Sequence, residues 1–382
     1  MKSQSCFKGL ICAAVMIAGG FAAGGALFAN DFNVWISPEY NLSNGDFSQT
    51  TKDNRDRIIT SQEFDDKFIS KIGLGAGFGW RFISLEGKFG WSIPKSVGNI
   101  IQDDYNTDNQ DIIKAHKEFS NSLDAENCDI DTKLRFDIPV IRNWLNIQPY
   151  MGFKYNYSKY SGAFSFGHKG LNDTYDYRAS KYSDKYAWDM FTTDITDGKD
   201  IWLKRELFDL SLGATVHGTL FDRFFVDADF TVSPVTWLNN KEYNGSRYYL
   251  DMMKGFFRRW SFGAAGGVYL GKQKEFEIGL NFRYNILNSI SGQSYTSGSE
   301  NSGFEKVKEG TFTSTNASSG RTSSETFYGS YGWTEAKNWQ VGIYGKYRFT
   351  FGPTHTPKVR EPREKKATTP KVRKGKVEVR QY

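Results

Sequence analysis

WQVGIYGKYRFTF, residues 339–351, decides the fold. Its odd positions are Trp339, Val341, Ile343, Gly345, Tyr347, Phe349 and Phe351, and its even positions are Gln340, Gly342, Tyr344, Lys346, Arg348 and Thr350. Alternation with period 2 over this length exceeds what most soluble strands show. One face suits lipid, with an aromatic at each end, and the other suits a polar lumen. In hydrocarbon every backbone N–H and C=O needs a protein partner, so such a strand belongs to a closed barrel.

The same pattern recurs upstream. Phe276, Ile278, Leu280, Phe282, Tyr284 and Ile286 oppose Glu277, Asn281, Arg283 and Asn285. Further alternating runs cover Trp260–Leu270, Phe224–Ser233, Phe208–His217, Ile147–Tyr157, Asp129–Ile138 and Ile83–Ile93, and weaker ones cover roughly 31–44 and 63–80. The reading is all-β: an antiparallel transmembrane β-barrel of about ten strands. Short turns are expected near 80–82, 142–146, 220–223 and 270–275. Long polar loops are expected near 45–62, 95–121, 169–201, 241–256 and 288–336. Short turns at one end and long loops at the other match an outer-membrane barrel with extracellular loops, and an even strand count returns the chain to the periplasm.

The flanks agree with export. Lys2 and Lys8 precede a small, apolar run to Ala29, which reads as a signal peptide over 1–29. The barrel is then 30–351, and 352–382 is a basic, Pro-containing periplasmic tail expected to be disordered. Past the signal peptide Cys128 is the only cysteine, so no internal disulfide is expected. The tail holds ten Lys and Arg against three Glu and repeats TPKVR at 356–360 and 369–373. The net charge of +6 therefore belongs to the tail and gives no indication of a nucleic-acid groove. In the periplasm such a tail suits anionic cell-wall polymer or lipid headgroups.

Asp129, Asp131, Lys133, Arg135 and Asp137 share one strand face, and Glu277, Arg283, Lys346 and Arg348 stand on others. In a ten-stranded barrel such side chains meet and pair, which argues against a wide porin.

The order of motifs resembles the omptin family of outer-membrane aspartyl-type proteases. The resemblance is carried by KSVGNIIQDDY (95–105), ENCDIDTKL (126–134) and IQPYMGFKYNYSKYSGAF (147–164), and spans about 31–351. It implies a ten-stranded barrel that rises above the membrane, with an Asp–His dyad on one cleft wall and an Asp couple on the other. Aligned residue by residue, the couple falls on Gln102, Asp103 and Asp104, and Gln102 stands where one aspartate belongs. Adjacent side chains on a strand point to opposite faces, so Asp103 and Asp104 do not readily share a cleft. The dyad falls in WLNNKEYNGS (237–246), which offers Asn239, Lys241 and Glu242 as cleft positions but no histidine.

The chain has four histidines. His116 is the candidate substitute base beside Asp103 or Asp104; His168 sits at an outer strand end, while His217 and His355 fall at the periplasmic side. The expectation is an omptin-like barrel with degraded protease machinery, serving as a surface binding or structural protein. An active endopeptidase cleaving near basic residues through Asp104 with Asp103 or His116 is the alternative, and a narrow channel is a further one. No metal and no cofactor are expected. Outer-membrane lipid such as lipopolysaccharide is the expected partner, with a peptide or host-surface ligand left open for the loops. The Ser/Thr/Gly-rich stretch 288–336 reads as unable to order itself.

Overall fold

The computed structural model describes residues 32–351, apart from 94, 97–98, 106–112, 121–123, 142–143, 163–165, 170–188, 192–200, 245–246, 300 and 316–321. The expected signal peptide and basic tail lie outside the described residues, as do most of the stretch 169–201 and part of 95–121.

Ten antiparallel strands form a closed ring. They are β1 (Phe32–Asp53), β2 (Ile58–Trp80), β3 (Ile83–Ser92), β4 (Asp124–Phe136) and β5 (Leu145–Gly162), then β6 (Ile201–Leu220), β7 (Phe224–Asn244), β8 (Arg247–Leu270), β9 (Phe276–Ser297) and β10 (Ser330–Phe351). Each pairs with the next, and β10 closes on β1 from Phe351 opposite Phe32 to Ser330 opposite Asp53. No open edge is left along the seam, so the backbone is satisfied by the ring itself.

The alternation sorts side chains as the sequence implies. On β10, Val341, Ile343, Tyr347, Phe349 and Phe351 are exposed outward; on β9 so are Ile278, Leu280 and Phe282. With matching residues on the other strands they form an apolar belt toward the end carrying the short turns, where Arg81, Phe221 and Asp222 adopt positive φ.

The strands run well past that belt. At about 3.3 Å per residue and about 40° tilt, a 22-residue strand such as β10 rises about 55 Å, roughly twice the ~25 Å lipid band. Two expected loops are therefore mostly wall. The stretch 45–62 is strand except for a turn at 54–57, and 241–256 is strand apart from residues 245–246. The stretch 288–336 is also partly ordered: β9 continues to Ser297, a hairpin joins Glu309–Thr315 to Thr322–Tyr328, and β10 begins at Ser330. In these outer segments apolar residues such as Phe47, Leu250 and Met253 share faces with polar ones, so the alternation fades, and pairing with neighbours supplies much of the order.

Inside the belt the lumen is filled with ion pairs. Arg283 reaches Asp131 at 3.4 Å and Asp229 at 3.7 Å; Arg135 reaches Glu86 at 3.3 Å; Lys71 reaches Asp129 at 2.6 Å; Lys346 reaches Glu277 at 3.8 Å. These charges line a cavity of about 320 Å³.

Above that cavity the bore is crossed by an apolar septum that the sequence reading did not anticipate. One cluster joins Phe47, Phe64, Ile69, Ile100, Ala125, Tyr160 and Leu203, and a second joins Leu207, Leu238, Met253, Leu287 and Ile290. Ala336 packs against both, so every barrel strand except β3 contributes. Phe47 and Phe64 stack at 4.1 Å with Tyr160 tilted against them.

Candidate functional site: the barrel mouth

One inward-facing position above the septum lies a polar layer. On β1 and β2, Gln49 stands opposite Gln62; on β7 and β8, Asn240 stands opposite Asp251; on β10, Thr334 stands opposite Gln49. β3 stops at Ser92, and beyond it the outer half of β2 pairs with the strand Asn99–Tyr105, matching Gln62 with Gln102 and Thr60 with Asp104. That strand pairs in turn with Ile113–Ser120, and this with Phe166–Lys169.

Alternation then decides which expected site residues meet. Gln102 and Asp104 share a face: Gln102 Nε2 donates to Asp104 Oδ1 at 3.0 Å, and Thr60 Oγ1 donates to the same oxygen at 3.1 Å. Asp103 is buried on the other face, with residue His116 opposite it in the register. The structure thus brings Asp104 to the mouth and leaves Asp103 behind the wall. On β7 the buried, inward residues are Leu238, Asn240 and Glu242. Asn239 and Lys241 alternate with them onto the outer face, with Lys241 Nζ 5.3 Å from the Phe304 ring centre. Of the four expected cleft positions only Gln102 and Glu242 face the mouth, and Asn240, which was not singled out, faces it too. A period of 2 permits no other sorting.

The two walls are joined directly. Gln62 Nε2 donates to Glu242 Oε1 at 2.8 Å and to Gln102 Oε1 at 3.2 Å. Asn240 Nδ2 donates to Gln49 Oε1 at 3.0 Å and to Thr334 Oγ1 at 3.3 Å, while Gln49 Nε2 donates to Asp251 Oδ2 at 2.9 Å. Amides and carboxylates therefore lace the mouth from β2 to β7 and from β1 to β7 and β8. Gln49, Gln62, Gln102, Asn240, Glu242 and Asp251 are all buried.

Asp251 is the unusual group. It is 3% exposed and has no salt bridge, and burial pushes its carboxyl up to about 6 against bonds from Ser294 and Gln49 that favour the charged form. Its space is made by Gly332, where a Cβ would stand 2.8 Å from Asp251 Cγ and 2.7 Å from Met253 Cε. Sequence reading missed Asp251, Gln49 and Gln62 because it treated both segments as loop. The alternation of Leu250 and Met252 with Asp251 and Met253 was their one local signal.

Among the described side chains the only histidine is His217, far below the mouth at the turn end. There its Nδ1 lies 2.6 Å from Asp227 Oδ1 and its Nε2 3.3 Å from Thr219 Oγ1. No group of three His, Cys, Asp or Glu that would hold a metal ion by such ligands alone occurs among the described residues.

Comparison with solved structures places this architecture. The outer membrane protease OmpT of Escherichia coli superposes with a TM-score of 0.61 over 84% of this chain and 97% of that chain, at 11% identity. The fold is that of an omptin-like outer-membrane β-barrel. The translocator domain of the autotransporter NalP from Neisseria meningitidis gives a TM-score of 0.34 at 8% identity, covering 91% of this chain and 100% of that one. The attachment invasion locus protein Ail of Yersinia pestis gives 0.24 at 9% identity, covering 83% and 98%. No family model and no curated protein matches the sequence. At 11% identity the likeness to OmpT concerns the fold and leaves the chemistry to this chain's own residues.

Proposed function

We propose that this chain is a bacterial outer-membrane barrel acting at the cell surface as a binding or structural protein, with its loop end outside and its tail in the periplasm, and without peptidase activity. The observation that carries the reading is the bond from Gln62 Nε2 to Glu242 Oε1, which laces together the two walls between which an omptin-like cleft would open. Gln102 and Asn240 face the mouth as amides, which supply no base, and Glu242 there accepts a hydrogen bond from Gln62. Asp104 Oδ1 accepts hydrogen bonds from Thr60 and Gln102. The apolar septum below speaks against conduction through the bore. The outward apolar belt, with short turns below and tall walls above, supports the orientation.

The test is direct. The barrel is refolded with lipopolysaccharide and offered fluorogenic peptides carrying paired Arg or Lys, alongside Asp104→Ala. No turnover is expected from either protein, and cleavage lost in Asp104→Ala would make the chain a protease. Protease added to intact cells is expected to clip within 288–336 and spare the tail; the opposite pattern inverts the topology.

A further inference from the structure

Three buried side-chain oxygens at the mouth have no hydrogen-bond partner among the described residues: Gln62 Oε1, Asn240 Oδ1 and Asp251 Oδ1. Their residues are 6%, 1% and 3% exposed, so bulk water does not satisfy them. All three belong to one layer. Asn240 and Asp251 are direct cross-strand partners, and Gln49, which bonds to both, stands opposite Gln62. Side chains directly opposite one another begin about 5 Å apart, which keeps these oxygens in one neighbourhood.

The surplus is specifically one of acceptors. Turning the Gln62 amide over would face its oxygen toward the Glu242 carboxylate and the Gln102 oxygen. Turning Asn240 would replace its bond to Gln49 Oε1 by a contact between two oxygens. The donors are thus fixed by the network, and the unpaired atoms stay oxygens. One of them is a carboxylate without a salt bridge, and a second carboxylate, Glu242, adjoins through Gln62. Buried acceptors and negative charge together call for a positive partner.

We propose that this layer binds a hard divalent cation of the calcium class, with Asp251 Oδ1, Asn240 Oδ1 and Gln62 Oε1 as ligands and water completing the shell. Calcium takes six to eight oxygens from carboxylates, Asn and Gln carbonyls and water in flexible geometry, which suits this set. Zinc seeks nitrogen and sulfur, and magnesium demands a strict octahedron, so neither fits as well. The ion would tie β2, β7 and β8 together and lock the mouth shut. The inference concerns the mouth used in the binding reading above but does not depend on whether peptides are cleaved.

The experiment uses the full mature chain, refolded in detergent and stripped with chelator. CaCl₂ is titrated at pH 7.5 and constant ionic strength, with calorimetry and thermal unfolding as readouts. A saturable heat and a rise in Tm of several degrees are expected, with MgCl₂ weaker. Asp251→Asn is expected to weaken binding by about tenfold or more while the protein still shows the gel-mobility shift of a folded barrel. Gln62→Glu, which adds a carboxylate, is expected to tighten it. Absence of heat and of any Tm shift up to about 10 mM CaCl₂, tenfold above the weakest extracellular calcium modules, overturns the proposal. So does binding of unchanged strength in Asp251→Asn. Peptide cleavage, by contrast, would overturn the functional reading and leave this one standing.

Discussion

Asp251→Asn is expected to stabilise the metal-free barrel at neutral pH and to leave it unchanged in acid. The carboxyl is 3% exposed and its folded value is about 6, against 3.8 for an unburied aspartate. About two units at 1.36 kcal/mol each make the charged form of the folded state about 3 kcal/mol too costly. Because the folded value is raised, the protein is free of this cost below pH ~3, where Asp251 is protonated in both states. As pH rises from ~4 to ~6 only the unfolded chain releases the proton, so stability falls, and above ~6 the cost is constant. The groups facing Asp251 are Gln49 from β1, Asn240 and, one step outward, Glu242 from β7, Ser294 from β9, and Gly332 and Thr334 from β10. None is a cation. Asparagine keeps the shape and the acceptor for Gln49 while removing the charge. Urea titrations of detergent-refolded protein with chelator, followed by tryptophan fluorescence, should show Asp251→Asn more stable by up to about 3 kcal/mol at pH 7.5 and equal to wild type at pH ~3. The solvent-exposed turn residue Asp222 provides a control, and Asp222→Asn should change stability by no more than about 0.5 kcal/mol. A variant equally stabilised at both pH values, or destabilised at pH 7.5, would refute the reasoning.

Three further outcomes follow from the interior. Arg283→Met removes the cation shared by Asp131 and Asp229, and should cost about 3–5 kcal/mol by equilibrium unfolding, with part recovered when Asp229→Asn is added. Phe64→Ala breaks the stack on Phe47 and should cost about 3–5 kcal/mol; in planar bilayers wild type should be silent, and Phe64→Ala with Leu238→Ala should show conductance steps if the septum is the barrier. Gly332→Val drives side-chain atoms into Asp251 and Met253 and should lower Tm by several degrees, whereas Gly298→Val, with open space around it, should not.

Much of the barrel was legible because alternation is a local property. Phe351 back to Val341, and Phe282 with Leu280 and Ile278, face outward as their parity requires, and the charges of Asp131, Arg135, Glu277 and Arg283 meet inside as parity also requires. The same rule explains the misreadings. The outer strand ends mix polar and apolar residues on each face, so 45–53 and 247–256 read as loop, and Asn239 and Lys241 read as cleft positions although they point outward.

The sequence by itself determined the strands at the apolar belt, their outward apolar and inward polar faces, and the strand at 339–351 that closes the ring, and it places no histidine in 237–246. Only the tertiary structure decided the septum and the laced mouth. Gln49 meets Asp251 across 202 residues, Asn240 across 191, and Gln62 meets Glu242 across 180. Such pairs are set by the register and stagger with which ten strands close into one ring, and no window of sequence contains both partners.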